Sequence, residues 1–239
     1  MISENTRRAL ERRWYPDLQK IVFERFATQL DACLCPGAVV LDSGSGPGSW
    51  ILQERRERFG LLVGEDVYRP DVSRLDAFTL ARCEHLPFAD HSFDMVVAYL
   101  MIEHLAEPPV AFREYARVLK PGGYFVFKTP AVYTPLFILA KLLPVSWHRT
   151  LKARVGVAEE DVFPTYYRAN TVGILKRDLA AAGLRQHWLD TVDQTYAYMS
   201  HTRWSYALGL LYSRLTKFRP LAWLRNQIVG IYRLPEEAS

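Results

Sequence analysis

The segment Val39 to Trp50, VVLDSGSGPGSW, carries the densest chemistry of the 239-residue chain. A short apolar run, Ala38 to Leu41, closes on Asp42 and leads into Gly44, Ser45, Gly46 and Gly48. Glycines serve where a backbone turns sharply and a ligand comes close. Residues 49–58 then read as a helix, whose first turn offers unpaired N–H groups to an anionic group. A second apolar run, Leu61 to Val63, ends at Glu65 and Asp66. Asp66 falls at the spacing where an acid accepts hydrogen bonds from a ribose diol. A dinucleotide loop wants GxGxxG, and Ser49 stands where its third glycine would fall. Asp42 beside the loop would also repel a pyrophosphate, whereas it suits a ligand carrying an ammonium group. His104 lies just past a third apolar run, and imidazole titrates in the range a base near neutrality needs. Two readings of His104 stand side by side: a base, or a group that caps and orients its loop.

These residues need elements to position them. Leu18, Ile21, Val22, Phe26 and Leu30 share one helical face over residues 17–32. Strands are expected at 38–41, 61–63, Phe93 to Tyr99 and Tyr124 to Lys128. Pro109 to Leu119 reads as a helix, with Pro109 near its favoured first position, and Pro121-Gly122-Gly123 as a turn. Thr171 to Ala182 reads as a helix closed by Gly183, followed by a strand from Leu184 to Leu189. Apolar strands alternating with helices mean an α/β protein, its mostly parallel sheet covered by helices on both faces. The expected division is an N-terminal helical lid at 1–36, a central domain at 37–192 interrupted by an insert at 131–170, and a basic helical tail at 193–239.

Composition bounds the class. With 49% hydrophobic and 13% aromatic residues the chain supports a true core, which excludes a mainly disordered protein. Lys and Arg number 30 against 26 Asp and Glu, a net +4 too mild to imply nucleic acid. The excess is local: from Gln194 to Pro235 there is no acid, while Arg203, Arg214, Lys217, Arg219, Arg225 and Arg233 all fall there. Three cysteines make no disulfide framework and suit a reducing compartment. The N-terminus lacks an apolar leader core, and no run of 18 apolar residues exists. The expected location is cytoplasmic, with residues 203–234 a candidate contact to the inner face of a membrane.

Read in order, several motifs resemble those of class I S-adenosylmethionine (SAM)-dependent methyltransferases of the type-11 group. LDSGSGPG is similar to the first cofactor motif, and GEDV at 64–67 to the ribose-binding strand end. CEHLPFADHSFDMVVAYLMIEHL, Cys83 to Leu105, is similar to the LPF…FD…EHL segment, and EYARVLKPGGYFVFKTP, Glu114 to Pro130, to the RVLKPGG segment. The resemblance implies a Rossmann-like fold, SAM as cofactor and S-adenosylhomocysteine (SAH) as product. By it, Gly44, Ser45, Gly46 and Gly48 wrap the methionine part and Asp42 meets its ammonium. Asp66 binds the ribose, Cys83 and Glu84 lie at the adenine edge, and Tyr99 and Leu100 lie beside the methyl. Arg82 replaces an acid that many relatives carry. The expected reaction is methyl transfer, at oxygen, to a small-molecule or glycan or glycolipid acceptor. His104 is the candidate base, and Tyr166, Tyr167, Arg168 and His148 are candidate substrate contacts. The glycolipid tilt comes from a looser likeness of Glu159 to Thr171 to enzymes of cell-surface glycan pathways. Alternatives are a degenerate SAM-binding scaffold acting through its tail, and an NAD-dependent oxidoreductase. No acidic metal triad is apparent.

In the tail, Trp204, Leu208, Leu211, Leu215 and Phe218 fall at helical spacing, and Leu221, Leu224, Ile228 and Ile231 repeat it after Pro220. Apolar faces with basic and aromatic residues suit a membrane interface; packing on the core or on a second subunit is the more ordinary outcome and the favoured one. Nucleic acid is not expected, since the aromatics sit within apolar faces and AYLM stands after Val97 in place of [ND]PP[YF].

Overall fold

The computed structural model describes residues 2–18, 25–71, 74–134 and 164–236. Seven strands make one sheet: β1 (Val39–Ser43), β2 (Leu61–Asp66), β3 (Ala77–Leu80), β4 (Phe93–Tyr99), β5 (Leu119–Pro130), β6 (Arg185–Val192) and β7 (Gln227–Arg233). Their order is β3-β2-β1-β4-β5-β7-β6. Val40 of β1 pairs in parallel with Leu62 on one side and Met95 on the other, so β1 and β4 are almost wholly buried. The chain builds outward from β1 to β3 and then returns to lay β4 on the other flank of β1. Such a reversal opens a crevice at the strands' carboxyl ends, and Asp42, Asp66 and Tyr99 stand there.

The helices described are α1 (Glu4–Trp14), α2 (Arg25–Cys33), α3 (Trp50–Gln53), α4 (Pro108–Val118), α5 (Val172–Ala181), α6 (Thr195–Tyr198) and α7 (Arg203–Leu215). On one sheet face Phe112 and Tyr115 of α4 and Leu175 and Leu179 of α5 bury Phe125 and Phe127. On the other, Leu30 of α2, Leu52 of α3 and Tyr206 and Leu210 of α7 bury Val126, Val229 and Ile231. Each such aromatic or aliphatic side chain contributes about 1.5–3 kcal/mol by leaving water.

Several expectations change. The helix expected over 49–58 is a single turn, α3, followed by a 3-10 turn at Arg56–Arg58. Glu54 to Arg58 carries no apolar side chain, so nothing anchors a longer helix to the core. The expected turn at 121–123 lies inside β5 as an irregularity: Phe93 pairs with Leu119, but Met95 pairs with Tyr124. The short edge strand β3 pairs with β2 and shows no alternation to read. Of the helix expected at 17–32, Arg25 onward is observed, with Leu18, Phe26 and Leu30 buried. Ile21 and Val22 lie outside the described residues, as does most of the insert, His148 included.

The largest correction is the tail. Its second helix is not there: residues 227–233 form β7, antiparallel to β5 and β6 and buried between them. QIVGIYR is buried on both faces, so it shows no period of two, and its Ile residues satisfy helical spacing by coincidence. Gly230 is required, since a Cβ there would lie 2.5 Å from Phe127 Cζ.

The first tail helix exists, but the apolar face read from its spacing turns away from the core. Trp204, Leu208 and Phe218 are 87%, 58% and 67% exposed, while Tyr206, Gly209, Leu210 and Ser213 are buried. Gly209 decides this: a Cβ there would lie 2.7 Å from Tyr196 Cα, so only a glycine face sits this close to α6. Tyr206 also donates to Glu11 of α1. Among the described residues, no helix is long and apolar enough to cross a membrane.

Candidate active site

The glycine loop is tied down by acids at both ends. Gly44 and Ser45 donate their N–H groups to the Glu65 carbonyl at 2.9 and 3.0 Å. Gly46 N–H donates to Asp66 Oδ2 at 2.8 Å. Ser49 closes the loop on Asp42, its N–H on Oδ2 at 2.7 Å and its hydroxyl on Oδ1 at 2.6 Å. Gly44, Gly46 and Gly48 have φ of +66°, +48° and +113°, the left-handed region that glycine adopts without strain. At Gly44 a Cβ would also lie 2.4 Å from Met101 Cγ.

Asp42 is fully buried and Glu65 nearly so. Burial pushes each carboxyl up to about 7, against the pull of the Ser49 bonds on Asp42 and of the Ser43 hydroxyl, 2.8 Å away, on Glu65. Asp66 raises both further by like charge. Among the described residues, none of these three acids pairs with a Lys or Arg. Beneath them Tyr115 bonds Ser43 at 2.9 Å. Sequence reading missed this Ser43–Glu65–Tyr115 network; the signal was Glu65, a charged side chain before the last residue of a buried strand.

Cys83 is buried against Tyr115, so its side chain faces the core; burial first, then Glu84, pushes its thiol up. Glu84 accepts from Cys83 Sγ at 3.4 Å and ion-pairs with Arg82 at 3.6 Å. Arg82 thus turns onto the acid two residues on.

Across β4 lies the second half. Leu100 has φ of +58°, a costly conformation for a bulky side chain that is found where structure is over-determined near sites. Its N–H donates to the Lys128 carbonyl at 2.8 Å. A 3-10 turn follows at Ile102–His104. The Glu103 carbonyl accepts from Tyr166 and Tyr167 N–H at 2.9 and 3.1 Å. His104 Nδ1 lies 3.0 Å from the Pro164 carbonyl. A carbonyl only accepts, so in the neutral ring Nδ1 carries the hydrogen and Nε2 is the basic nitrogen. Arg168 donates to the Ala106 carbonyl, and its guanidinium lies 5.3 Å from the Tyr166 ring centre. The structure therefore gathers His104, Tyr166, Tyr167 and Arg168 around one turn. Glu103 is buried: it accepts from Thr129 Oγ1 at 3.0 Å, and burial raises its carboxyl.

Lys128 is a second residue that sequence reading missed. It donates to Tyr99 OH at 3.0 Å and to Gln194 Oε1 at 2.8 Å. Its signal was parity: Tyr124, Val126 and Lys128 alternate on one face of β5, and only the last is charged. Among the described residues, no group of three or more His, Cys, Asp or Glu is placed to hold a metal.

A doubly wound sheet with a glycine loop after β1, acids at the ends of β1 and β2 and an open end on β4 is the Rossmann-like fold of class I methyltransferases. Residues 41–127 match the family described as "Methyltransferase domain". A malonyl-[acyl-carrier protein] O-methyltransferase of Marinomonas sp. is 36% identical over 125 residues, covering 48% of this chain and 46% of the relative. The chain thus spans about half the length of the curated relatives it matches. Among solved structures, a SAM-dependent methyltransferase from Mesorhizobium loti superposes with a TM-score of 0.53 at 20% identity, over 86% of this chain and 96% of that one. A geranyl diphosphate C-methyltransferase from Streptomyces coelicolor, solved with Mg2+, geranyl diphosphate and SAH, gives 0.55 at 18%, over 87% and 77%. At those identities the likeness is one of fold.

Proposed function

We propose that this chain transfers a methyl group from SAM to a carboxylate oxygen of a small-molecule or carrier-bound acyl acceptor. The observation that carries the cofactor is the set of three acids, Asp42, Glu65 and Asp66, with no cation among the described residues. Buried carboxylates without a cation are costly. A ligand bearing an ammonium and a sulfonium offsets that cost, whereas a pyrophosphate would add to it, which argues against the NAD alternative. Asp66 would hold the ribose, Asp42 the ammonium, and the loop from Gly44 to Gly48 the methionine chain.

When bound, SAM supplies an activated methyl: the acceptor oxygen gains a C–O bond as the C–S bond breaks, and the electron pair stays with sulfur. The residues here need only align the acceptor and keep water away. A carboxylate arrives ionised, so no proton has to leave it, and His104 then serves to orient the Pro164–Arg168 segment. A hydroxyl acceptor would instead deliver its proton to His104 Nε2. The relatives named for malonyl-[acyl-carrier protein] favour the carboxylate. Thermal unfolding tests the cofactor: SAH near a hundred times its dissociation constant should stabilise by about 2.7 kcal/mol. A shift with NAD and none with SAH would sink the proposal.

The exposed face of α7 favours a further reading of where the chain works. Trp204, Leu208 and Phe218 with Arg203, Arg214 and Lys217 form an apolar and basic strip suited to an anionic lipid surface. Sedimentation with phosphatidylglycerol vesicles, compared with phosphatidylcholine vesicles, tests it. Equal sedimentation with both, or none with either, removes this reading.

A further inference from the structure

Lys128 is an anomaly in a well-packed sheet. It is 7% exposed, on a strand whose neighbours on the same face are Val126 and Tyr124. A buried ammonium is expensive unless an anion answers it. Here its two hydrogen-bond acceptors are neutral, the Tyr99 hydroxyl and the Gln194 amide oxygen. Lysine has three N–H donors, and the third has no partner among the described residues. Glu103 acts on it only through space, its carboxylate held by Thr129 on the opposite face of β5. The Tyr99 ring, its centre 5.0 Å from Nζ, is the one contact that favours a charge, and it is weaker than an anion.

The register shows what surrounds the amine. Lys128 pairs with Tyr99 on β4 and with Val229 on β7. Side chains alternate along a strand, so Gln227, two residues before Val229, stands on the same face. Gln227 is 2% exposed, and its Oε1 has no hydrogen-bond partner among the described residues. Tyr99, Lys128 and Gln227 thus make a polar corner on an otherwise apolar face. The corner sits where the end of β5 meets the start of β7, one strand beyond the crevice that receives the cofactor. Gln194, after β6, reaches in to complete it.

We infer that this corner is the subsite for an acidic acceptor, with Lys128 Nζ holding the carboxylate and Tyr99, Gln194 and Gln227 fixing the amine and the rest of the polar head. The inference rests on the carboxylate-acceptor reading above. A carboxylate has two oxygens, so one rests on the amine while the other reacts. Methylation turns the anion into a neutral ester, which loses its hold on Lys128 and leaves. Lys128 is thereby a positioning residue that favours substrate over product.

The test uses the full chain saturated with SAH, with malonate as probe and dimethyl malonate as its uncharged twin. Malonate should raise the melting temperature of the SAH complex, and the diester should not. Lys128→Met should keep the SAH shift and weaken malonate binding about tenfold or more, with Lys128→Arg recovering part of it. In the unaltered protein, malonate should slow reductive methylation of Lys128, read by peptide mass spectrometry; this needs no variant to fold. An SAH shift with no difference between malonate and its diester, or malonate binding unchanged in Lys128→Met, overturns the subsite. Failure of SAH itself to bind overturns the cofactor reading instead.

Discussion

The two halves of the site, on either side of β4, bury charge of opposite sign. On the β1–β2 side stand three acids whose oxygens are engaged by loop N–H groups and hydroxyls. On the β5–β7 side stands one lysine bonded to neutral oxygens. Among the described residues neither half closes an ion pair within 4.0 Å, and Glu103 reaches Lys128 only through space. Interiors do not tolerate this without cause, since burying an unpaired charge costs several kcal/mol. On the proposed reading the difference has one cause: each half would answer a ligand of the opposite sign, a cationic cofactor and an anionic acceptor. The two are physically joined at Gly44, whose missing side chain lets Met101 pack over the loop at the start of the turn that carries His104.

The contrast is broken most sharply at Asp66. Asp66→Asn should lower SAH affinity about a hundredfold, since two ribose bonds to a charged acceptor are worth about 3 kcal/mol together. Calorimetric titration reads it. Because Asp66 belongs to the cation-seeking half alone, malonate binding to protein still saturated with SAH should stay within about twofold of wild type. Equal losses of both would show the halves to be one unit.

A smaller and more diagnostic effect is opposed pH dependence. Asp42 and Glu65 have carboxyls near 7 because of burial. The ammonium that SAH shares with SAM prefers Asp42 ionised, so SAH affinity should rise between about pH 6 and about pH 8. Without ligand the sign reverses. Their ordinary values are 3.8 and 4.5, so the folded state holds more protons than the unfolded chain up to about pH 7. These two groups therefore make unliganded stability fall as pH climbs through that window. Lys128 is lowered to about 8 by burial, against the attraction of Glu103. Malonate affinity should accordingly decline above about pH 8, as the amine loses its proton. Of the neighbouring groups, Tyr99 is pushed up to about 12 and stays neutral there, while Glu103 is the acid whose charge reaches the amine. Parallel rather than opposed trends would dissolve the contrast.

The cation-seeking half was legible in the sequence because its parts lie close together in the chain. Asp42, the glycines and Asp66 fall within 25 residues, each at a strand end that apolar runs announce. The other half is assembled from residues far apart, Tyr99, Lys128, Gln194 and Gln227, and their meeting depends on β7 entering the sheet antiparallel. That entry was hidden because QIVGIYR, buried on both faces, imitates a helix. Helix α7 failed for a related reason. It carries two apolar faces at helical spacing, and only the close approach to Tyr196 that Gly209 allows selects which one turns inward.

The smallest expected effect bears on how the second half acts. If charge alone holds the acceptor, His104 has no proton to remove, and its work is to hold Pro164 and, through the turn, the chain that follows. With a malonyl thioester as acceptor, His104→Ala should lower kcat by less than about tenfold, well short of the 10²–10⁴ that removal of a general base costs. His104→Gln, whose amide N–H can still donate to the Pro164 carbonyl, should recover most of that loss. A loss of a thousandfold, shared by the glutamine variant, would make Nε2 the base. The acceptor would then be a hydroxyl, and Lys128 would be answering some charge other than the one that is methylated.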